Sequence, residues 1–145
     1  MKMLARLSLL AAAALLVSLQ ARADVYVIVS AQSPVRSLQH KEVLDLFMGR
    51  SRALPGGEFA TPLDLPRDSA GRLAFYRTLT GQDLAQINSY WARLLFTGRV
   101  QPPQPVAGEP AMLEAVKANP RAVGYLEREP QDPGVRTVFV LKEPR

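Results

Sequence analysis

Residues 65–79, "LPRDSAGRLAFYRTL", read as a chain leaving a strand and entering a helix. "TPLDL" (61–65) just before it is a short strand candidate, and Leu73, Tyr76 and Leu79 recur at helical spacing up to a Gly81 stop. Two readings of the helix start compete. Its unpaired N–H groups and partial positive charge favour an anion, with Ser69 adding a hydroxyl, Ala70 and Gly71 leaving room, and Arg67 and Arg72 offering planar forks. Alternatively, Asp68 caps the helix, occupies the same N–H groups and repels an anion.

Working outward, "DVYVIVS" (24–30) is β-branched and aromatic without polar alternation, as in a strand covered on both faces and typical of a parallel α/β sheet. Ser37 is positioned to cap a helix over "LQHKEVLDLFM", with Gly49 as its stop. Asp83 and Gln86 form a capping box for a helix whose stripe is Leu84, Ile87, Trp91, Leu94 and Leu95, closed by Gly98. Pro102, Pro103 and Pro105 force an extended crossover over 99–109. Pro110 opens a short helix that stops at Asn119-Pro120. "AVGYLE" (122–127) and "RTVFVLK" (136–142) are the last strands. The predicted order is β-α-β-α-α-α-β-β in one domain: an α/β fold with a small, mostly parallel sheet and helices on both faces.

Residues 1–23 stand apart. Lys2 and Arg6 precede an uncharged apolar run from Leu7 to Leu19, and "ARA" ends at Ala23, the pattern of a cleavable secretory signal peptide. The run is shorter than the ~20 residues that span a bilayer. The expected product is residues 24–145, located in the periplasm. Three of the five net positive charges (Lys2, Arg6, Arg22) lie in the leader, which leaves +2. That charge gives no reason to invoke nucleic acid or an anionic membrane.

Catalytic constellations are scarce. The chain has no cysteine, which removes disulfides, thiol nucleophiles and cysteine metal sites. His40 is the sole histidine and reads as a surface or edge residue, while Glu42 and Asp45 read as a solvated face. No Walker-type or dinucleotide-type glycine pattern occurs. The expectation is a non-enzymatic chain without metal or cofactor. Trp91 reads as core, and the proline stretch as a stiff crossover rather than a docking strip.

Three segments, in order, resemble the substrate-binding proteins of phosphate ABC transporters. "EVLDLFMGR" (42–50) is similar to the family's helix ending in glycine and a basic residue. "PRDSAGRLAFY" (66–76) is similar to its arginine followed by a Ser-Gly-Thr helix start and an aromatic. "MLEAVKANPRAVGYLE" (112–127) is similar to its helix, Pro-Gly-Ala-Ile-Gly-Tyr-Val turn and strand. The resemblance implies one lobe of a type 2 periplasmic binding protein, in which Arg67 matches the phosphate-binding arginine and Ser69 the serine. The family's Ser-Gly-Thr becomes Ser69-Ala70-Gly71 or, shifted, Ala70-Gly71-Arg72, and its threonine hydroxyl has no counterpart.

By this resemblance the chain is a solute-binding module for phosphate or a similar oxyanion at 67–72, with a membrane transporter as partner. The alternative is a periplasmic interaction or sensory module, partnered by an envelope sensor protein, that has lost small-ligand binding. Charge-assisted hydrogen bonds contribute roughly 1.5–3 kcal/mol each against an association cost of at least ~4 kcal/mol. Three of them on an open surface therefore give about millimolar affinity. A second lobe, a homodimer or a partner protein would be needed to close the site, or Arg72 would have to turn back toward the helix start.

Overall fold

A computed structural model describes residues 24–143; the predicted signal peptide lies outside the described residues. The strands are β1 (Val25–Ser30), β2 (Thr61–Asp64), β3 (Gln104–Pro105), β4 (Ala122–Leu126) and β5 (Val135–Leu141). The helices are α1 (His40–Phe47), α2 (Ala70–Thr80), α3 (Leu84–Leu95) and α4 (Glu109–Ala118). The sheet order is β3-β2-β4-β1-β5. β2 is parallel to β3 and β4, whereas β1 is antiparallel to both β4 and β5. Four strands therefore share one direction and β1 opposes them.

The sheet is thus mostly parallel, as the sequence implies, and the one departure is β1, whose run reads as typical of a parallel sheet. The unbroken apolar run of β1 reports burial on both faces, which its position between β4 and β5 provides, and carries no information on direction. The proline stretch is extended as expected, and it adds the two-residue edge strand β3. Its prolines lack the N–H groups that would invite further pairing.

Adjacent residues of β4 assign the two faces, because successive side chains of a strand point opposite ways. Gly124 faces α4: a Cβ there would meet Met112 Sδ at 2.5 Å and Val116 Cγ2 at 2.9 Å. Only glycine allows this close approach of helix to strand. Tyr125 projects to the other face, where its ring stacks on Phe75 of α2 (centroids 3.8 Å apart, planes 4° off parallel) and meets Phe47 of α1 edge-on at 6.0 Å. Helices thus cover both sides of the sheet, and the aromatic cluster joins α1, α2 and β4.

Helix boundaries follow local chemistry. α1 starts at Gln39 rather than Ser37, because the Glu42 carboxylate accepts from the Gln39 N–H at 2.7 Å. Asp45 pairs with Lys41 and approaches Arg50 at 4.0 Å, so these acids do structural duty beyond a solvated face. The Asp83–Gln86 capping box is present in both directions, at 2.9 and 3.0 Å. The α3 stripe is narrower than its spacing implies: Ile87 and Trp91 are buried, Leu84 and Leu94 half-buried, and Leu95 exposed. Pro110 is the second residue of α4, not the first. His40 sits exposed at the start of α1, its Nε2 3.1 Å from the Leu79 carbonyl oxygen.

Candidate functional site

β2 delivers Asp64 into the interior at its C-terminal end, and the following five residues turn the chain into the helix α2. Ser69 is the N-cap of α2, its hydroxyl accepting from Arg72 N at 3.3 Å. Asp68 is therefore not the cap; it is exposed in the turn. Ala70 and Gly71 are the first two helical residues, and among the described residues no acceptor takes their N–H groups. Ala70 is exposed. Gly71 instead faces inward, where a Cβ would lie 2.6 Å from Leu65 Cδ1, so its missing side chain serves packing rather than a ligand's approach.

Arg72 turns back toward the helix start, and most of its fork is committed. Nε donates to Asp64 Oδ2 at 2.9 Å, and Nη1 donates to the Arg67 carbonyl at 3.0 Å and to Asn88 Oδ1 at 2.8 Å. The guanidinium carbon lies 5.1 Å from the centroid of the Tyr76 ring. Nη2 has no acceptor among the described residues.

Asp64 is the centre of this network. It also accepts from the hydroxyls of Tyr76 and Tyr125, and Tyr125 in turn accepts from Leu65 N at 3.1 Å. Both Asp64 oxygens and both tyrosine hydroxyls are bonded, and such satisfaction is the condition under which a buried polar cluster fixes one arrangement. Burial alone would lower the Arg72 pKa, but the hydrogen bond and charge of Asp64 outweigh it and the net shift is upward. Burial, reinforced by the Asp64 charge, pushes both Tyr76 and Tyr125 upward.

A cavity of about 270 Å³ opens above the network, between the start of α2, the outer face of α3 and the proline crossover. Arg67, Arg72, Asn88 and Trp91 line it together with Asp64. The oxygens of Asp64 and the Asn88 carbonyl are already bonded within the protein. Among the side chains, what remains is donors: the exposed Arg67 fork, Arg72 Nη2 and the Asn88 amide N–H groups. Trp91 is 5% exposed, and its Nε1 is the one buried side-chain polar atom without a partner among the described residues. An unsatisfied buried donor costs about 1–3 kcal/mol. Of the five site residues expected from the sequence, Arg67 and Arg72 line the cavity; Ser69, Ala70 and Gly71 do not.

Asp64, Asn88 and Trp91 are the residues that sequence reasoning left out of the site. A charged residue ending an apolar strand was the available signal for Asp64, and a polar residue one turn before Trp91 the signal for Asn88. A wider cleft of about 810 Å³ shares Pro102, Pro103 and Pro105 with this cavity. Its Arg52 side chain is engaged with the Arg99 carbonyl.

Two solved structures share this architecture. One is a protein from Clostridium perfringens assigned as a phosphate ABC transporter substrate-binding protein and solved with bound phosphate (TM-score 0.61, 19% identity, 80% of this chain and 45% of that one). The other is an ABC-type phosphate transport receptor from Vibrio cholerae (TM-score 0.62, 16% identity, 80% and 46%). The fold is that of phosphate ABC transporter substrate-binding proteins. The chain spans less than half the length of either neighbour, which fits a single-lobe relative. No protein-family model matches the sequence, and no curated protein matches it significantly. Among the described residues no helix is long and apolar enough to cross a membrane, and no group of three or more His, Cys, Asp or Glu could hold a metal ion.

Proposed function

We propose that the chain is an exported, non-catalytic solute-binding module for a phosphate-like oxyanion, working with a membrane transporter. The observation that carries this reading is the set of polar side chains lining the cavity, in which the groups not already bonded within the protein, on Arg67, Arg72 and Asn88, are donors. An oxyanion is the complementary ligand, since it offers acceptors only and matches the charge of Arg67. Ser69 and the N–H groups of Ala70 and Gly71 support the same sign of charge at the neighbouring helix start. The fold shared with phosphate-binding neighbours supports the ligand class and the transport context.

Asp64 tempers the site by neutralising Arg72, so a bound anion relies on Arg67 for net positive charge. With three or four hydrogen bonds on an open cavity, binding of about millimolar order is expected unless a partner closes over it. A second reading, as an envelope interaction or sensory module, draws on Phe96, 93% exposed beside the exposed Leu95.

The deciding experiment is a thermal-shift panel of phosphate, sulfate, phosphonates and carboxylates, run on the chain and on Arg67→Ala. Ligand at one hundred times its Kd adds about 2.7 kcal/mol of stability. A saturable rise with an oxyanion, absent from Arg67→Ala, is the expected result. No rise with any anion at millimolar concentration would leave the interaction reading in its place.

A further inference from the structure

The cavity is too large and too apolar for a bare tetraoxyanion. A water's share of liquid volume is about 30 Å³, so an ion of five heavy atoms takes up at most about 150 Å³. The cavity holds about 270 Å³, and seven of its eleven lining residues are apolar. Trp91, Leu95, Pro102 and Pro103 form that apolar wall, and the donors Arg67, Arg72 and Asn88 lie among the same lining residues. Trp91 contributes the aromatic part of that wall. A bare ion has no use for the wall, and a neutral apolar molecule leaves the donors unmet.

We propose that the cavity takes an organic oxyanion: a phosphonate or phosphate monoester carrying an aromatic or branched apolar group. The phosphoryl head is held by Arg67, Arg72 and Asn88, and the apolar group lies against Trp91, Leu95 and the Pro102–Pro103 wall. This inference rests on the oxyanion reading given above and narrows it to a ligand class.

Trp91 is the sole tryptophan of the chain and lines the cavity, so tryptophan emission reports on it. The test titrates the purified chain with inorganic phosphate, methylphosphonate, phenylphosphonate and benzyl alcohol, following emission and calorimetric heat. Phenylphosphonate is expected to bind at least ~10-fold tighter than phosphate or methylphosphonate, about 1.4 kcal/mol, and to shift the emission saturably. Arg67→Ala abolishes that binding. Leu95→Asn, at an exposed position that the fold tolerates, brings the ratio of phenylphosphonate to phosphate affinity toward one. Equal affinity for phosphate and phenylphosphonate overturns this inference and leaves the oxyanion reading standing. Benzyl alcohol binding as tightly as phenylphosphonate, or no binding of any of the four, overturns both.

Discussion

Arg72 Nε lies 2.9 Å from Asp64 Oδ2, and both side chains are less than a tenth exposed, so the first turn of α2 is tied to the end of β2 by a buried ion pair. Removing one partner of such a pair strands the other charge and costs about 3–5 kcal/mol. Asp64→Asn is therefore expected to be strongly destabilised in urea unfolding. Arg67→Ala, on the exposed side of the same turn, should stay within about 0.5 kcal/mol of the wild type. Equal stability of the two variants would mean that the pair contributes little to the fold.

The same cluster predicts a loss of stability in alkali. Tyr76 and Tyr125 are fully buried, and burial with the Asp64 charge raises both above the ordinary value of 10.0. A raised folded value means stability that is complete below pH ~10 and declines as pH rises beyond it, because the unfolded chain releases protons that the folded chain keeps. Each tyrosine contributes a slope of about 1.4 kcal/mol per pH unit. Urea melts between pH 9 and about 11 should show this fall, and Tyr125→Phe should make the slope shallower. Ionisation of these two tyrosines, followed by ultraviolet absorbance, should coincide with unfolding.

Local chemistry was readable in the sequence, and long-range pairing was not. The Asp83–Gln86 box and the extended proline crossover depend on neighbours a few residues away, and the structure contains them where the residues imply. The start of α1 shifts because Glu42 reaches back to Gln39, a bond that competes with the more familiar serine cap at Ser37. β1 could not reveal its direction, since an apolar strand between two others looks the same either way round. Arg67 and Arg72 were legible as cavity residues from the helix start. Asp64 was not, because its partners Arg72, Tyr76 and Tyr125 converge on it from 8, 12 and 61 residues away. Leu95 fits the spacing of a core stripe yet faces the cavity mouth, where tertiary packing and not periodicity decides burial.

Gly49 follows the end of α1 and packs against Trp91 and Val100. Its φ of +73° is left-handed, and a Cβ would lie 2.7 Å from both Trp91 Cη2 and Val100 Cγ1. A non-glycine residue in that conformation costs about 1–2 kcal/mol, and overpacking adds about 1–3 kcal/mol. Gly49→Ala should lower stability by at least ~2 kcal/mol and move the Trp91 emission, both read in one denaturant titration. A substitution without effect on emission would show that α3 is free to shift away from α1.

Ser69 separates capping from anion binding. Ser69→Ala removes the acceptor for Arg72 N and should cost about 1 kcal/mol, as N-cap truncations do. Ser69→Asp restores the cap, since aspartate is as good an N-cap as serine and its charge suits the helix dipole. Its stability should therefore return to within about 0.5 kcal/mol of the wild type. Yet it places a negative charge two residues from Arg67, where a bound oxyanion would be repelled. Calorimetric titration with phenylphosphonate should show binding weakened at least ~10-fold in Ser69→Asp, a cost of about 1.4 kcal/mol, while Ser69→Ala loses much less. Equal binding by Ser69→Asp and wild type would place the anion away from the start of α2 and return Ser69 to a purely structural role.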